Sequence, residues 1–224
     1  ENARLFLLQT RNAKRTALSA VKTAVDMVHE GLISQDQAIL RVDAEEISRL
    51  LVPQFADDIS DDVLEDLFLA RGAPASPGAA SGTVCFDATK AAELAEAGQD
   101  VILVRPETKP DDIHGITAAA GVVTSRGGVT SHAAVVTRGL GKPCIVGCET
   151  IQVDLEAGLF TAGGKTVHEG ERISIDGALG SVYLGKLDTT HPSLEDLPEA
   201  LELLDWADQT RKLGIMANAD TPSD

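Results

Sequence analysis

Val122-Val123-Thr124-Ser125-Arg126-Gly127-Gly128-Val129-Thr130-Ser131-His132-Ala133-Ala134-Val135-Val136 reads as a strand, a glycine-rich turn and the opening of a helix. Val122–Thr124 is a short β-branched run. Gly127-Gly128 lets the backbone reverse sharply. Thr130 or Ser131 then offers a side-chain oxygen to cap a helix expected over Ser131–Arg138. His132 falls among amides that have no intrahelical partner, an arrangement that binds anions.

A histidine so placed has a defined use. The partial positive charge of the helix start opposes imidazolium and favours the neutral ring, which is the nucleophilic form. Once a ring nitrogen has taken a phosphoryl group, the same free amides stabilise the negative product. A hydrogen-bonded structural histidine also fits this position, and the stretch alone leaves both readings open.

Outward from this point, short apolar runs at Thr83–Phe86, Val101–Val104, Pro143–Val146, Arg172–Asp176 and Ser181–Leu184 read as strands, and Thr89–Ala97 as a helix. Together they predict a compact α/β domain over residues 71–187. Paired acids and the run Ala73-Pro74-Ala75-Ser76-Pro77-Gly78 make residues 57–78 a linker. The Pro- and acid-rich residues 188–199 form a second linker, leading into a helix that carries Leu201, Leu204, Trp206 and Leu213.

On the N-terminal side, Ala17, Ala20, Val21, Ala24, Val25 and Val28 recur at helical spacing, with Gly31 as the stop. Ser34-x-x-Gln37 has the form of a capping box, and Asp43-x-x-Glu46 announces a third helix before Ile47, Leu50 and Leu51. Leu5–Leu8 and Leu213–Asn218 read as strands whose partners lie outside the sequence, so the chain is expected to be an excised piece.

The 224 residues are 43% hydrophobic and 24% charged, which suits a globular domain rather than a disordered chain. Aromatics are only 3%, so the core must be aliphatic. A net charge of −16 repels a phosphate backbone and argues against nucleic acid. The longest apolar run is far shorter than the ~20 residues that span a bilayer, and no signal peptide opens the chain, so a cytoplasmic protein with no membrane contact is expected. Cys85, Cys144 and Cys148 lack zinc-site spacing, and no metal site is expected.

The remaining polar features read as structural. His29, His114, His168 and His191 have no second ligand at helical spacing. Lys109-Pro110-Asp111-Asp112 is a helix start. Gly163-Gly164-Lys165-Thr166 lacks the spacing of a phosphate loop and reads as a turn between strands.

The run Gly127 to Cys144, including Gly141-Lys142-Pro143-Cys144, resembles the phosphohistidine signature of the phosphoenolpyruvate-utilising enzymes, their dikinase branch above all. Arg105-Pro106-Glu107-Thr108-Lys109-Pro110-Asp111-Asp112-Ile113-His114-Gly115 is similar to the strand and loop before that site, and Gly147-Cys148 to its close. Val129 stands where Met is frequent in the family, an apolar exchange that alters packing rather than chemistry.

This resemblance implies a swivelling β/β/α phosphohistidine domain over residues 71–187. Residues 1–11 would end an ATP-grasp nucleotide-binding domain, 12–70 form a helical linker region, 188–213 a linker and helix, and 214–224 open a barrel that binds phosphoenolpyruvate or pyruvate. His132 would be the catalytic nucleophile, with Gly127, Gly128 and Ser131 in support. It would take a phosphoryl group derived from ATP and pass it to pyruvate, within an overall conversion of ATP, phosphate and pyruvate to AMP, pyrophosphate and phosphoenolpyruvate.

Mg2+ and ATP would bind in flanking domains of the same longer chain, so the piece would not turn over alone. Thr130 would be the target of a regulatory kinase and phosphatase protein, and the parent enzyme a homodimer. Alternatives implied by the same resemblance are the carrier of phosphoenolpyruvate synthase or of Enzyme I of the sugar phosphotransferase system. A non-catalytic regulatory docking module is the remaining alternative.

Overall fold

The protein is described by a computed structural model that covers residues 16–44, 47, 50–56 and 58–214. It divides into two compact units, one of Glu1–Leu50 with Ser193–Asp224 and one of Leu51–Pro192.

The first unit is helical. α1 (Ala17–His29) is capped by Thr16, whose side chain accepts from the Ser19 amide, and stops at Gly31 with φ +71°. The Leu32 amide donates back to the Met27 carbonyl at 2.9 Å, which satisfies the frayed end. α2 (Gln35–Ile39) has both bonds of the expected capping box on Ser34 and Gln37. α7 (Pro198–Thr210) buries Ala200, Leu203 and Trp206 against Val21, Ala24, Val25, Ala38 and Leu50.

Of the residues expected on the C-terminal helix, Trp206 is on its buried face. Leu201 is exposed, and Leu213 lies beyond the helix end. The expected Leu5–Leu8 strand, the Glu46 end of the third capping pair and the start of the barrel lie outside the described residues.

The second unit is built on an eight-stranded sheet of order β2-β12-β11-β4-β5-β6-β7-β3. The strands are β2 (Phe68–Arg71), β3 (Ala73–Ser76), β4 (Ala79–Cys85), β5 (Val101–Arg105), β6 (Gly121–Thr124), β7 (Cys144–Val146), β11 (Arg172–Asp176) and β12 (Ser181–Leu184). β4 to β7 run parallel in sequence order, and the rest pair antiparallel. The parallel strands are joined by α4 (Ala88–Glu96), α5 (Ile113–Ala118) and α6 (His132–Gly139). A second sheet, β8 (Gln152–Asp154), β9 (Leu159–Ala162) and β10 (Lys165–His168), covers the other face.

Strand alternation explains the layers. Val101, Leu103, Val122, Cys144 and Val146 pack with Ala91, Ile116, Ala133 and Ala134 of the helices. Their neighbours Ile102, Val104, Val123 and Ile145 point the other way, onto Phe160 and Val167 of the small sheet. Each buried aliphatic side chain contributes about 1.5–3 kcal/mol, and the two clusters are built mainly from aliphatics, with Phe86 and Phe160 the aromatics in the second. The result is the expected β/β/α arrangement.

Residues 57–78, read as a linker, are folded wherever they are described. α3 (Asp61–Leu67) carries Asp61 and Asp62 in its first turn, where carboxylates favour the helix dipole. β2 and β3 lie at opposite edges of the sheet yet are separated only by Gly72, so the chain turns there and the sheet curls closed. A Cβ on Gly72 would press on the Cys148 sulfur and lie 2.7 Å from the Val146 carbonyl oxygen, which explains the glycine. A two-stranded ribbon, β1 (Gln54–Phe55) with β13 (Thr189–Thr190), completes the unit, and Phe55 meets Tyr183 edge to face at 5.7 Å.

Candidate functional site

The candidate site lies at the C-terminal ends of the parallel strands, the usual place for a site on such a sheet. β5 and β6 end in register at Arg105 and Thr124. Beyond them the Ser125 amide donates to Arg105 O at 3.1 Å and the Arg126 amide to Pro106 O at 2.8 Å. Thr124, almost fully buried, donates its hydroxyl to Arg126 O at 2.7 Å, and Thr124 O accepts from the Cys148 amide at 2.9 Å. The loop after β6 is thus pinned on both flanks before it rises to Gly127.

Gly127 holds φ +98°, and Gly128 O accepts the Ser131 amide at 2.8 Å, which closes the turn. Gly147 follows β7 with φ +63°, and a Cβ there would stand 2.7 Å from Gly127 O. The two glycines let neighbouring backbones approach. Ser131 is the N-cap of α6 and its hydroxyl accepts from the Ala134 amide. Of the two capping candidates only Ser131 is used; Thr130 is exposed on the crest of the loop.

His132 is the first residue of α6 and is half-buried. Its Nε2 is buried and holds no hydrogen bond. An unsatisfied buried polar atom costs about 1–3 kcal/mol, which is the kind of cost that accumulates at reactive sites. Gly127, Gly128, Thr130, Ser131 and His132 are therefore brought together as one turn.

Arg105 donates to Phe86 O at 2.8 Å and faces Asp112 at 3.6 Å, while its Nε is buried without a partner. Asp112 accepts from the Lys109 amide at 2.8 Å, the structural role expected of Lys109–Asp112. The Gly163-Gly164 pair, φ +56° and +73°, forms the β9–β10 turn.

Sequence reading placed Gly147 only at the close of the resembling run and gave Arg138 no role. Arg138 donates to Ala75 O through Nε and Nη2, and through Nη2 to Val129 O. Its spacing from His132 gave no signal, because the contact depends on β3 lying beside α6. Of the other histidines, His29 pairs with Glu202 at 2.9 Å and His114 with Thr89 at 3.2 Å. Among the described residues no group of three His, Cys, Asp or Glu side chains is arranged to hold a metal, and no helix is long and apolar enough to cross a membrane.

Residues 97–180 match the family model of the PEP-utilising enzyme mobile domain. Over that stretch, which takes in His132, the chain is similar to the mobile domain of the phosphoenolpyruvate-utilising enzymes. It is 48% identical over 221 residues to pyruvate, phosphate dikinase, chloroplastic, of Flaveria trinervia, which covers 99% of this chain and 23% of that protein. It is 46% identical over 223 residues to pyruvate, phosphate dikinase of Entamoeba histolytica, covering 100% of this chain and 24% of the relative. The chain thus spans about a quarter of the length of these relatives.

A solved structure, the N-terminal domain of Enzyme 1 - Nitrogen, aligns with a TM-score of 0.35 at 14% identity over 61% of this chain and 99% of that one. The family match covers β5 to β11 almost entirely, and so takes in the whole loop from Thr124 to His132. The matched stretch therefore has His132 at the helix that starts from the Gly127-Gly128 turn.

Proposed function

We propose that His132 accepts and passes on a phosphoryl group, and that the chain is the central carrier of a pyruvate, phosphate dikinase. The observation that carries this reading is the placement of His132. It opens α6 directly after the Gly127-Gly128 turn, with an unpartnered ring nitrogen at a helix N-terminus. Similarity to dikinases over the whole chain supports the same reading.

In the proposed step a lone pair of the ring attacks phosphorus, the bond from phosphorus to the leaving group breaks, and the ring sheds a proton. Ser131 fixes the helix start, and the amides of the first turn face the charge that arrives. Delivery to pyruvate reverses this, with pyruvate oxygen as the new partner of phosphorus. ATP and Mg2+ would bind in parts of the longer relatives that this chain does not cover.

Thr130 serves this reading as a control point. It is exposed, two residues before His132, and its hydroxyl is not used as the helix cap. A phosphate there would add about −1.5 to −2 charge beside the acceptor and repel an incoming phosphoryl group. A cytoplasmic, homodimeric parent enzyme and a regulatory kinase and phosphatase protein belong to the same proposal.

The test uses phosphoramidate, a small donor that needs no second domain. The ring nitrogen displaces ammonia from phosphorus, and ammonia leaves with the proton. Peptide mapping at alkaline pH is expected to place an acid-labile phosphoryl group on His132, absent in His132→Asn. Labelling that spares His132 would overturn the reading. The dikinase assignment is tested by exchanging this chain for the matching segment of the Flaveria trinervia protein. An exchange protein that folds and is labelled at His132 by phosphoramidate, yet does not convert ATP, phosphate and pyruvate, would refute it.

A further inference from the structure

The guanidinium of Arg138 holds two carbonyls from separate parts of the second unit. Nε and Nη2 donate to Ala75 O at 3.2 and 2.8 Å, and Nη2 also donates to Val129 O at 3.2 Å. Ala75 belongs to β3 at the sheet edge, whereas Val129 lies on the loop crest three residues before His132. Side chains on a helix lean toward its N-terminus, so Arg138 in the last turn of α6 reaches back along the helix to the crest. Among the described residues, the crest Gly127–Thr130 receives a single side-chain hydrogen bond from outside the loop, and it is this one.

We propose that Arg138 is a positioning residue for phosphoryl acceptance at His132. Its fork ties the crest to β3 and so fixes the backbone from which the ring is aimed. The inference rests on the reading of His132 as the acceptor. The reason for arginine is geometric. A planar fork holds its donors on separate nitrogens at fixed angles, while the donors of lysine all radiate from one nitrogen on a flexible stem and fix the geometry less. The competing explanation is a cation placed near a helix C-terminus for the sake of the dipole, a role that lysine fills equally.

The experiment compares wild type, Arg138→Ala, Arg138→Lys and His132→Asn under phosphoramidate, reading the rate of acid-labile incorporation at His132. Backbone relaxation of residues 127–131 is measured on the same samples. A misplacement near 1 Å costs up to about 100-fold in rate, so Arg138→Ala is expected to be about 10- to 100-fold slower. Arg138→Lys is expected to keep its thermal midpoint, stay several-fold slower than wild type, and show a looser crest.

Wild-type rate in Arg138→Lys would overturn the proposal in favour of charge alone, and wild-type rate in Arg138→Ala would overturn it outright. Should Arg138→Ala fail to fold, the lysine variant decides by itself. Absence of His132 labelling in wild type would instead strike the acceptor reading, and the role of Arg138 would fall with it.

Discussion

Gly147→Ala is expected to damage both stability and the site, for reasons that can be separated. Gly147 has φ +63°, a conformation that costs an L side chain about 1–2 kcal/mol. Its new Cβ would also stand 2.7 Å from Gly127 O, where ordinary contact begins at 3.4 Å, so the loop must yield by about 0.7 Å. Gly141 provides the control. It has φ +64° but open space around it, so Gly141→Ala incurs the backbone cost alone.

Adding the contact brings Gly147→Ala to about 2–3 kcal/mol, or roughly 4–12 °C in thermal midpoint for a chain of this size. Because Gly127 O belongs to the turn before His132, the displaced loop is also expected to slow phosphoramidate labelling by about tenfold or more. Gly141→Ala should label at the wild-type rate. Calorimetry and labelling on the two variants decide the matter. If Gly147→Ala matches Gly141→Ala in both measurements, the reasoning that couples the end of β7 to the His132 loop is refuted.

Two further predictions concern the interior. Ser174 is fully buried, and its hydroxyl group bonds Ser81 at 2.7 Å, Gly185 O at 2.9 Å and the Leu187 amide at 2.8 Å. Ser174→Ala orphans the last two groups and is expected to cost about 1–3 kcal/mol by urea titration, with labelling of His132 unchanged. Burial pushes the thiol of Cys144 up to about 11 and that of Cys148 to about 12. A raised value in the folded state means that stability is fully present below the unfolded value near 9 and is lost as pH climbs toward 11–12. Urea midpoints are expected to fall from about pH 9 upward, less steeply in Cys148→Ala, and all three thiols should resist a thiol reagent until the chain is unfolded.

The parts legible in the sequence were those fixed by local rules. Arg172–Asp176 and Ser181–Leu184 are strands over the residues expected, and the Ser34 capping box forms as written. The strand, turn and helix around His132 were also legible, because a glycine turn followed by a capping serine is a local instruction. What escaped notice depends on partners far along the chain. Ala73-Pro74-Ala75-Ser76 looks like a linker, yet it pairs with β7 as an edge strand, where proline is tolerated. The buried face of α7 was not legible either, because Leu201 and Leu204 are as apolar as Leu203, and only the packing with α1 and α2 selects among them.

The state of the His132 ring follows from the same contrast between local and distant constraint. The backbone beneath it is held by Ser131, by the closed turn at Gly128 and by Arg138, whereas its Nε2 is held by nothing. Turning that nitrogen into water or toward an anion recovers the roughly 1–3 kcal/mol forfeited by an unpaired buried atom. The resting ring therefore has little hydrogen-bonding enthalpy to lose on moving, and side-chain rotation takes place in picoseconds to nanoseconds where it is not confined by packing. On the proposed reading, a rigid crest with a loosely held ring suits a carrier. On that reading, rotation of the ring alone would bring the nitrogen to phosphorus, with the attachment point held by Ser131, Gly128 and Arg138.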